Sequence, residues 1–215
     1  MMWPRILPFA VYMGFIGISS LIPAESSVEI LLYPIKTLAV SGLILYFWST
    51  YEELRRPVFS DFQEGTLALG VGILVYIFWV RMDWDWAIQG EMVGYNPFQE
   101  GEELGLLLAT IRIFGAAVVV PIMEELFWRS FLIRWIINKN FEKISVGTFS
   151  ISSFGITAIL FGLEHQLWLA GVMAGIVYNG LLYKTGRLWP CVVAHATTNL
   201  ILGIHVLLTG EWHWW

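Results

Sequence analysis

Apolar residues in this chain are gathered into seven long blocks separated by short polar segments. A helix needs about 20 apolar residues to cross a bilayer, and most blocks come near this length. Because lipid offers the backbone no hydrogen bonds, such blocks form helices. They run over Ile6 to Ile22, Ile30 to Thr50, Gly65 to Val80, Leu104 to about Asn138, Ser145 to Leu163, Leu167 to Tyr183 and Leu188 to Leu208. The pattern predicts an all-α, polytopic transmembrane bundle of about seven to eight helices. Its long fourth helix is expected to kink near Pro121 or to continue past the membrane surface.

The composition supports a membrane environment. Of the 215 residues, 57% are hydrophobic and 13% are charged, whereas a soluble domain carries about 25% charged residues. With one cysteine, Cys191, the chain can form neither an internal disulfide nor a cysteine-based metal cluster. It contains no nucleic-acid-binding motif. The net charge of −5 comes largely from the loops and indicates no particular partner.

The positions of the basic residues predict the orientation of the helices. With a cytoplasmic N-terminus, eight of the 12 lysines and arginines fall in cytoplasmic segments and only Arg81 falls on the opposite side, as the positive-inside rule expects. We expect one integral-membrane domain over residues 1–215. Residues 1–103 supply the N-terminal helices and an acidic outer loop, and residues 104–208 supply the helices that carry the polar motifs described next.

The first polar motif lies in the stretch PIMEELFWRS, Pro121 to Ser130. An unpaired charge facing lipid costs about 3 kcal/mol, so ionisable residues at this depth turn toward the bundle interior. Glu125 and Arg129 are four residues apart on one helix face and can form an ion pair. Glu124 is turned about 100° away and is free to face a cavity. In the alternative interpretation, all three form a polar clamp between helices.

Two further motifs place polar side chains on the fifth and seventh blocks. Phe161 and His165 share a face, so Phe161 is expected to pack beneath the imidazole, and His165 is either a packing residue or a functional one. Glu164 is interpreted as a charge at the membrane edge. His195 and Asn199 also share a face, and they either hydrogen bond to neighbouring helices or donate to a developing oxyanion.

The two histidines start from different depths in the bundle. His195 lies about 12 Å from the inner end of its helix, at 1.5 Å per residue, and His165 lies near the far end of its own. They can meet if the chain turns below the membrane surface around Gly162 to Trp168. Irregular backbone at that depth is tolerated only beside a cavity, so we expect a cavity there.

Taken in order, these motifs resemble those of the CPBP family of membrane proteins. They read EExxxR from Glu124 to Arg129, FxxxH from Phe161 to His165 and HxxxN from His195 to Asn199. The stretch TGRLWPCVVAHATTN, Thr185 to Asn199, is similar to the family's third-motif region. The family includes CAAX prenyl endopeptidases of the Ras-converting type and bacteriocin-processing and immunity proteins. The resemblance covers residues 112–208, and the length is similar to that of the bacterial CAAX prenyl protease-related proteins found with exosortase systems.

The resemblance implies an intramembrane endopeptidase with four catalytic residues. Glu124 would activate a water, His165 would hold or polarise that water, and His195 and Asn199 would form the oxyanion hole. The supporting residues would be Glu125 and Arg129, which orient Glu124 through their ion pair, and Phe161. A buried carboxylate stays ionised when cations and donors surround it, which agrees with these roles.

The same atoms also permit a zinc mechanism. Glu124, His165 and His195 could bind Zn²⁺, which accepts carboxylate and imidazole ligands and activates a bound water. The sequence lacks the HExxH pattern, and Asn199 is a poor zinc ligand but a good donor. We therefore favour the metal-free glutamate mechanism, with no cofactor.

Two other classes of function compete with the peptidase. A non-catalytic immunity or scaffold protein of the same fold would be expected to have degraded motifs, and a proton-coupled transporter would show two related halves. The chain has intact motifs and no internal symmetry. The expected partners are a peptide or lipidated-protein substrate and the lipid bilayer, and the expected location is the bacterial inner membrane.

Overall fold

The structure is a computed structural model that describes residues 1–22, 27–92 and 94–215, except for the side chains of residues 27–29 and 100. Parts of the predicted acidic outer loop, Val93 and the Glu100 side chain, thus lie outside the described residues. The described chain is all helical and contains no strand. Its seven helices are α1 (Trp3–Ser19), α2 (Ser27–Tyr46), α3 (Phe62–Trp79), α4 (Glu102–Ile137), α5 (Ile151–Leu163), α6 (Trp168–Thr185) and α7 (Trp189–Thr209). Each corresponds to one predicted apolar block.

Three of these helices are individually long and apolar enough to cross a membrane. They are α3, α4 and α7, and α5 and residues 30–46 of α2 are apolar but shorter. Many large apolar side chains on the outer faces of the bundle are exposed, among them Leu38, Leu45 and Leu208. A soluble protein rarely leaves so many uncovered. The protein is therefore an integral membrane protein built as a helical bundle.

Glycine allows α5 and α6 to approach closely. A Cβ added at Gly171 would lie 2.8 Å from the Cα of Gly162, and one added at Gly175 would lie 2.9 Å from the Cα of Ala158. Both distances are too short for any larger residue. The two glycines, four residues apart on α6, therefore form a packing surface for α5, and this close contact holds the turn between the two helices in place.

The long helix α4 changes its winding on either side of Pro121. Segments Gly115–Val119 and Leu126–Leu132 are π-helical, and the chain between them is α-helical. The helix nevertheless continues from Glu102 to Ile137. Where the sequence predicted a kink, the structure shows a change in winding. π-Helical turns are rare and often occur at functional sites. Both glutamates of the first motif lie between them.

A buried polar cluster ties α1 to α4 at one end of the bundle. Arg5 of α1 donates to the two carboxylate oxygens of Glu53, in the loop after α2, at 2.8 and 2.7 Å. Ser130 of α4 donates to the same carboxylate, and Nη2 of Arg134 lies 3.9 Å from it. Two cations thus compensate one buried carboxylate. The cluster fixes α1 against the helix that carries the first motif.

We expect Glu53 to make the stability of the bundle depend on pH. Burial raises the pKa of Glu53, but the hydrogen bonds and charge of Arg5 outweigh it and hold the pKa below its ordinary value. A carboxylate with a lowered pKa stabilises the fold above its unfolded pKa of about 4.3, and this stabilisation is lost as the pH falls through the folded value. Glu53→Gln should therefore destabilise the protein at pH 7 by about 1.5 to 3 kcal/mol.

Thermal unfolding in detergent between pH 7 and pH 3 measures this effect. The difference in Tm between wild type and Glu53→Gln should narrow as the pH falls below about 4. Glu52→Gln is the matched control, since the Glu52 side chain is exposed. A difference that stays constant down to pH 3 would show that Glu53 acts through packing rather than charge.

Candidate active site

The four predicted catalytic side chains line one cavity of about 350 Å³. Glu124 comes from α4, His165 from the turn after α5, and His195 and Asn199 from α7. We call this space the motif cavity. The expected cavity lies beside the turn between α5, which ends at Leu163, and α6, which begins at Trp168.

The turn that carries His165 is held by a segment far away in the sequence. The side-chain amide of Gln89 donates to the carbonyl oxygens of Leu163 and His165, at 2.9 and 2.5 Å, and the Gln89 backbone N–H donates to the carbonyl of Gln166 at 2.8 Å. Gln89 lies in the loop after α3. These bonds satisfy backbone carbonyls that no helix can satisfy, and they fix the position of His165.

His165 presents one defined nitrogen to the cavity. Its Nδ1 lies 2.7 Å from the carbonyl oxygen of Phe161, and because a carbonyl only accepts, Nδ1 carries the proton. Nε2 is then the acceptor nitrogen of the neutral ring. Phe161 lies against the imidazole with 4.8 Å between ring centroids, as predicted, and Trp79 meets its other side edge-on at 5.3 Å. The ring can thus accept a proton or bind a cation through Nε2.

The predicted ion pair between Glu125 and Arg129 is confirmed. Nη1 of Arg129 lies 3.3 Å from Oε1 of Glu125, and both side chains are buried. The guanidinium also lies over the rings of Phe161 and Tyr178, at 4.3 and 5.4 Å from their centroids. Aromatic faces stabilise a desolvated cation. The pair is therefore buried inside the bundle, directly behind Phe161 and Tyr178, two rings that line the motif cavity.

The ion pair orients His195. Nδ1 of His195 lies 3.0 Å from the same Oε1 of Glu125, and no hydrogen bond links the pair to Glu124 among the described contacts. The family resemblance had implied that the Glu125–Arg129 pair orients Glu124 instead. Because a carboxylate accepts, the His195 Nδ1 donates, and Nε2 becomes a donor only when the ring is an imidazolium. Tyr178 stacks on the ring at 5.2 Å and fixes its plane.

Asn199 links α7 to the first π-helical segment of α4. Its Nδ2 donates to the carbonyl oxygen of Ala116 at 2.8 Å. An amide nitrogen carries two hydrogens, so this bond uses one and leaves the other for a group in the cavity. This bond fixes the orientation of the Asn199 amide. A donor that is already oriented needs little reorganisation when negative charge develops nearby.

Glu164 is the residue that sequence reasoning placed wrongly. It was expected at the membrane edge, but its side chain is 10% exposed and lines the motif cavity. Its Oε1 accepts from the indole N–H of Trp128 at 2.9 Å. The only feature of the sequence that could have indicated this location is its position beside His165. A residue at a helix end can turn toward the same space as its neighbour.

Glu124, Glu164 and His165 form a compact group. One potential ligand atom from each lies within 4.8 Å of the others. Oε2 of Glu124 is buried and has no hydrogen-bond partner. Two carboxylates this close repel each other unless a proton or a cation lies between them. The group can therefore hold a water with a shared proton, or a metal ion.

The predicted zinc set is not the one that the fold brings together. His195, bound to Glu125 through Nδ1, is not part of the compact group, and Glu164 takes its place. The reason is the turn after α5, which points Glu164 and His165 into the cavity together. A metal ion would fit carboxylate and imidazole ligands of this kind.

Comparison with known proteins supports the assignment of these motifs. Residues 106–201 match the model of a family described as type II CAAX prenyl endopeptidase Rce1-like. The match spans 96 of the 215 residues and agrees with the resemblance carried by the motifs. All four candidate catalytic residues lie inside it. No curated protein and no solved structure matches the chain.

The match indicates a general class of activity, that of a peptidase. CAAX proteases are peptidases of the membrane, and the match covers the parts of α4 to α7 that enclose the motif cavity. Helices α1 to α3 lie outside the matched region, although Tyr12 of α1 and Trp79 of α3 also line the cavity. The N-terminal helices thus complete a site whose four candidate catalytic residues all come from the matched region.

Proposed function

We propose that this protein cleaves a membrane-associated peptide near its C-terminus, with Glu124 as the general base. The unpartnered, buried Oε2 of Glu124 in the motif cavity carries this proposal. A base must be able to accept a proton from water, and an oxygen with no donor bonded to it meets that requirement. His165 lies in the same group and holds the water through Nε2.

The other two residues stabilise the tetrahedral oxyanion. Asn199 donates its second amide hydrogen, and His195 donates through Nε2 when Glu125 compensates the charge of its ring. Fixed donors in a water-poor site are worth about 3 kcal/mol each of activation free energy. Glu124 takes a proton from the attacking water and gives it to the amine nitrogen as the C–N bond breaks, and Glu164, close to Glu124, shares that proton in the intermediate.

A metal-dependent mechanism is the second candidate, and the convergence of three ligand atoms favours it. Glu124, Glu164 and His165 would hold a Zn²⁺ ion, which would supply Lewis-acid activation of water. In both mechanisms the substrate is a peptide or a prenylated protein, and the site is placed at membrane depth. The N-terminus is proposed to be cytoplasmic, and the membrane to be the bacterial inner membrane.

Chelation separates the two mechanisms. Purified wild type in detergent should cleave members of a quenched peptide library that contains farnesylated CAAX peptides, and 1,10-phenanthroline should leave the rate unchanged. Mass spectrometry should find almost no bound metal in either the wild type or Glu164→Gln. Loss of cleavage on chelation with recovery on adding Zn²⁺, together with bound zinc that Glu164→Gln lacks, would establish the metal mechanism instead.

A further inference from the structure

A second cavity, of about 520 Å³, lies beside the motif cavity and shares part of its wall. Arg112 of α4 lines both cavities, and so do Tyr12, Tyr33 and Trp215. Lys36 of α2 lines the second cavity. We call this space the cationic cavity. Arg112 therefore faces the same space as Glu124 and also borders the cationic cavity.

Lys36 and Arg112 contact aromatic rings rather than acids. The Lys36 Nζ lies 4.2 Å from the ring centroid of Tyr12 and 4.8 Å from that of Tyr33. The guanidinium of Arg112 lies 4.8 Å from the Tyr33 ring centroid and 5.3 Å from that of Trp215. Both cations are thus held in place by π faces, which leave their hydrogen-bond donors available.

No carboxylate of the described residues lies within ion-pair distance of either cation. Glu91 also lines the cationic cavity, but it is exposed and makes no ion pair there. Two cations at membrane depth are costly without a compensating anion. An anionic ligand group would offset that cost.

The distance between Arg112 and Glu124 suits a short peptide. Arg112 and Glu124 are twelve residues apart on one helix, which corresponds to about 18 Å along its axis at 1.5 Å per residue. The π-helical segment Gly115–Val119 lies between them and rises less per residue, so the true distance is shorter. An extended peptide covers about 3.3 to 3.6 Å per residue, so roughly three to five residues span the space between the catalytic carboxylate and the cations.

We propose that Lys36 and Arg112 bind the C-terminal carboxylate of the peptide substrate. The inference rests on the proposed peptidase function and adds to it the reason why cleavage occurs near a C-terminus. Arginine recognises a carboxylate through paired hydrogen bonds, and lysine adds a point charge. A lipid phosphate could also bind these cations. Arg112 and Glu124 line the same cavity, however, at a separation that a short peptide can span, and this favours the C-terminus of the substrate.

Binding of a matched pair of peptides tests this assignment without relying on turnover. The peptides are dye-labelled and farnesylated and end in Cys-Ala-Ala-Met, one as the free acid and one as the C-terminal amide. The Glu124→Gln variant serves as host, so that both peptides stay intact. By fluorescence anisotropy, the acid should bind about tenfold more tightly than the amide, as expected for charge-assisted hydrogen bonds.

The added substitution Arg112→Gln should remove this preference by weakening the acid alone. Arg112→Lys should retain part of it, and Arg55→Gln, which removes an exposed cation elsewhere, should leave it unchanged. Equal binding of acid and amide to Glu124→Gln, or equal weakening of both by Arg112→Gln, would overturn the proposal. Displacement of the acid and the amide alike by phosphatidylglycerol would assign the cations to lipid.

The proposed function is judged separately in the same experiment. Cleavage of the acid peptide by wild type tests the peptidase, and the acid-to-amide binding ratio tests the cationic cavity. Cleavage with no acid preference would leave the peptidase standing and reject carboxylate recognition.

Discussion

Glu124→Gln is expected to lower kcat for peptide cleavage by about 10²- to 10⁴-fold, the range for loss of a general base. Glutamine has nearly the same shape but accepts no proton at neutral pH, so the motif cavity keeps its volume. KM should change little, because the substrate contacts are elsewhere. Single-substrate kinetics with the peptide that wild type cleaves best measure both constants.

The matched control for this variant is Glu103→Gln. Glu103 lies on the same helix but is exposed, outside the motif cavity, so the same chemical change should leave kcat at the wild-type value. Thermal unfolding confirms that both variants fold. Cleavage that persists at the wild-type rate in folded Glu124→Gln would remove Glu124 from the mechanism, and equal losses in both variants would point to a general effect of charge.

Arg129→Met is expected to cost about 3 to 5 kcal/mol of unfolding free energy, because it leaves the buried Glu125 without its cation. Glu125 is 0% exposed, and its Oε2 already lacks a partner. Water cannot reach the carboxylate to replace the guanidinium. The unfolding free energy in mixed detergent and SDS micelles measures the loss.

The double variant Glu125→Gln/Arg129→Met distinguishes charge from packing. If the loss arises from the uncompensated carboxylate, the double variant should recover more than half of it, since removing both partners of a buried pair is far less costly than removing one. Arg55→Gln, an exposed arginine, is the control and should change stability little. Additive losses would instead show that the arginine stem and its contacts with Phe161 and Tyr178 dominate.

The sequence predicted the helices because membrane chemistry leaves few choices. A block of apolar residues in lipid must satisfy its own backbone, so each block became a helix. Pairs four residues apart were also predictable: Glu125 contacts Arg129, and Phe161 contacts His165. Both contacts follow from spacing along the chain, and they form although Arg129 lies in a π-helical segment and His165 lies just past the end of α5.

Contacts between helices were beyond the sequence. The bond from Glu125 to His195, the bond from Asn199 to Ala116 and the entry of Glu164 into the motif cavity each require a particular rotation of one helix against another. Helices that are apolar on all sides carry little pattern to fix that rotation. Small residues and close packing decide it instead.

By itself, then, the sequence determined a helical membrane protein and the residue types of a peptidase, because composition and local spacing are properties of each helix alone. The tertiary structure decided which carboxylates share the motif cavity and which histidine the ion pair orients. It also decided where Lys36 and Arg112 lie relative to that cavity. These depend on the π-helical turns of α4 and on the turn after α5, whose geometry is set by packing among helices from distant parts of the chain.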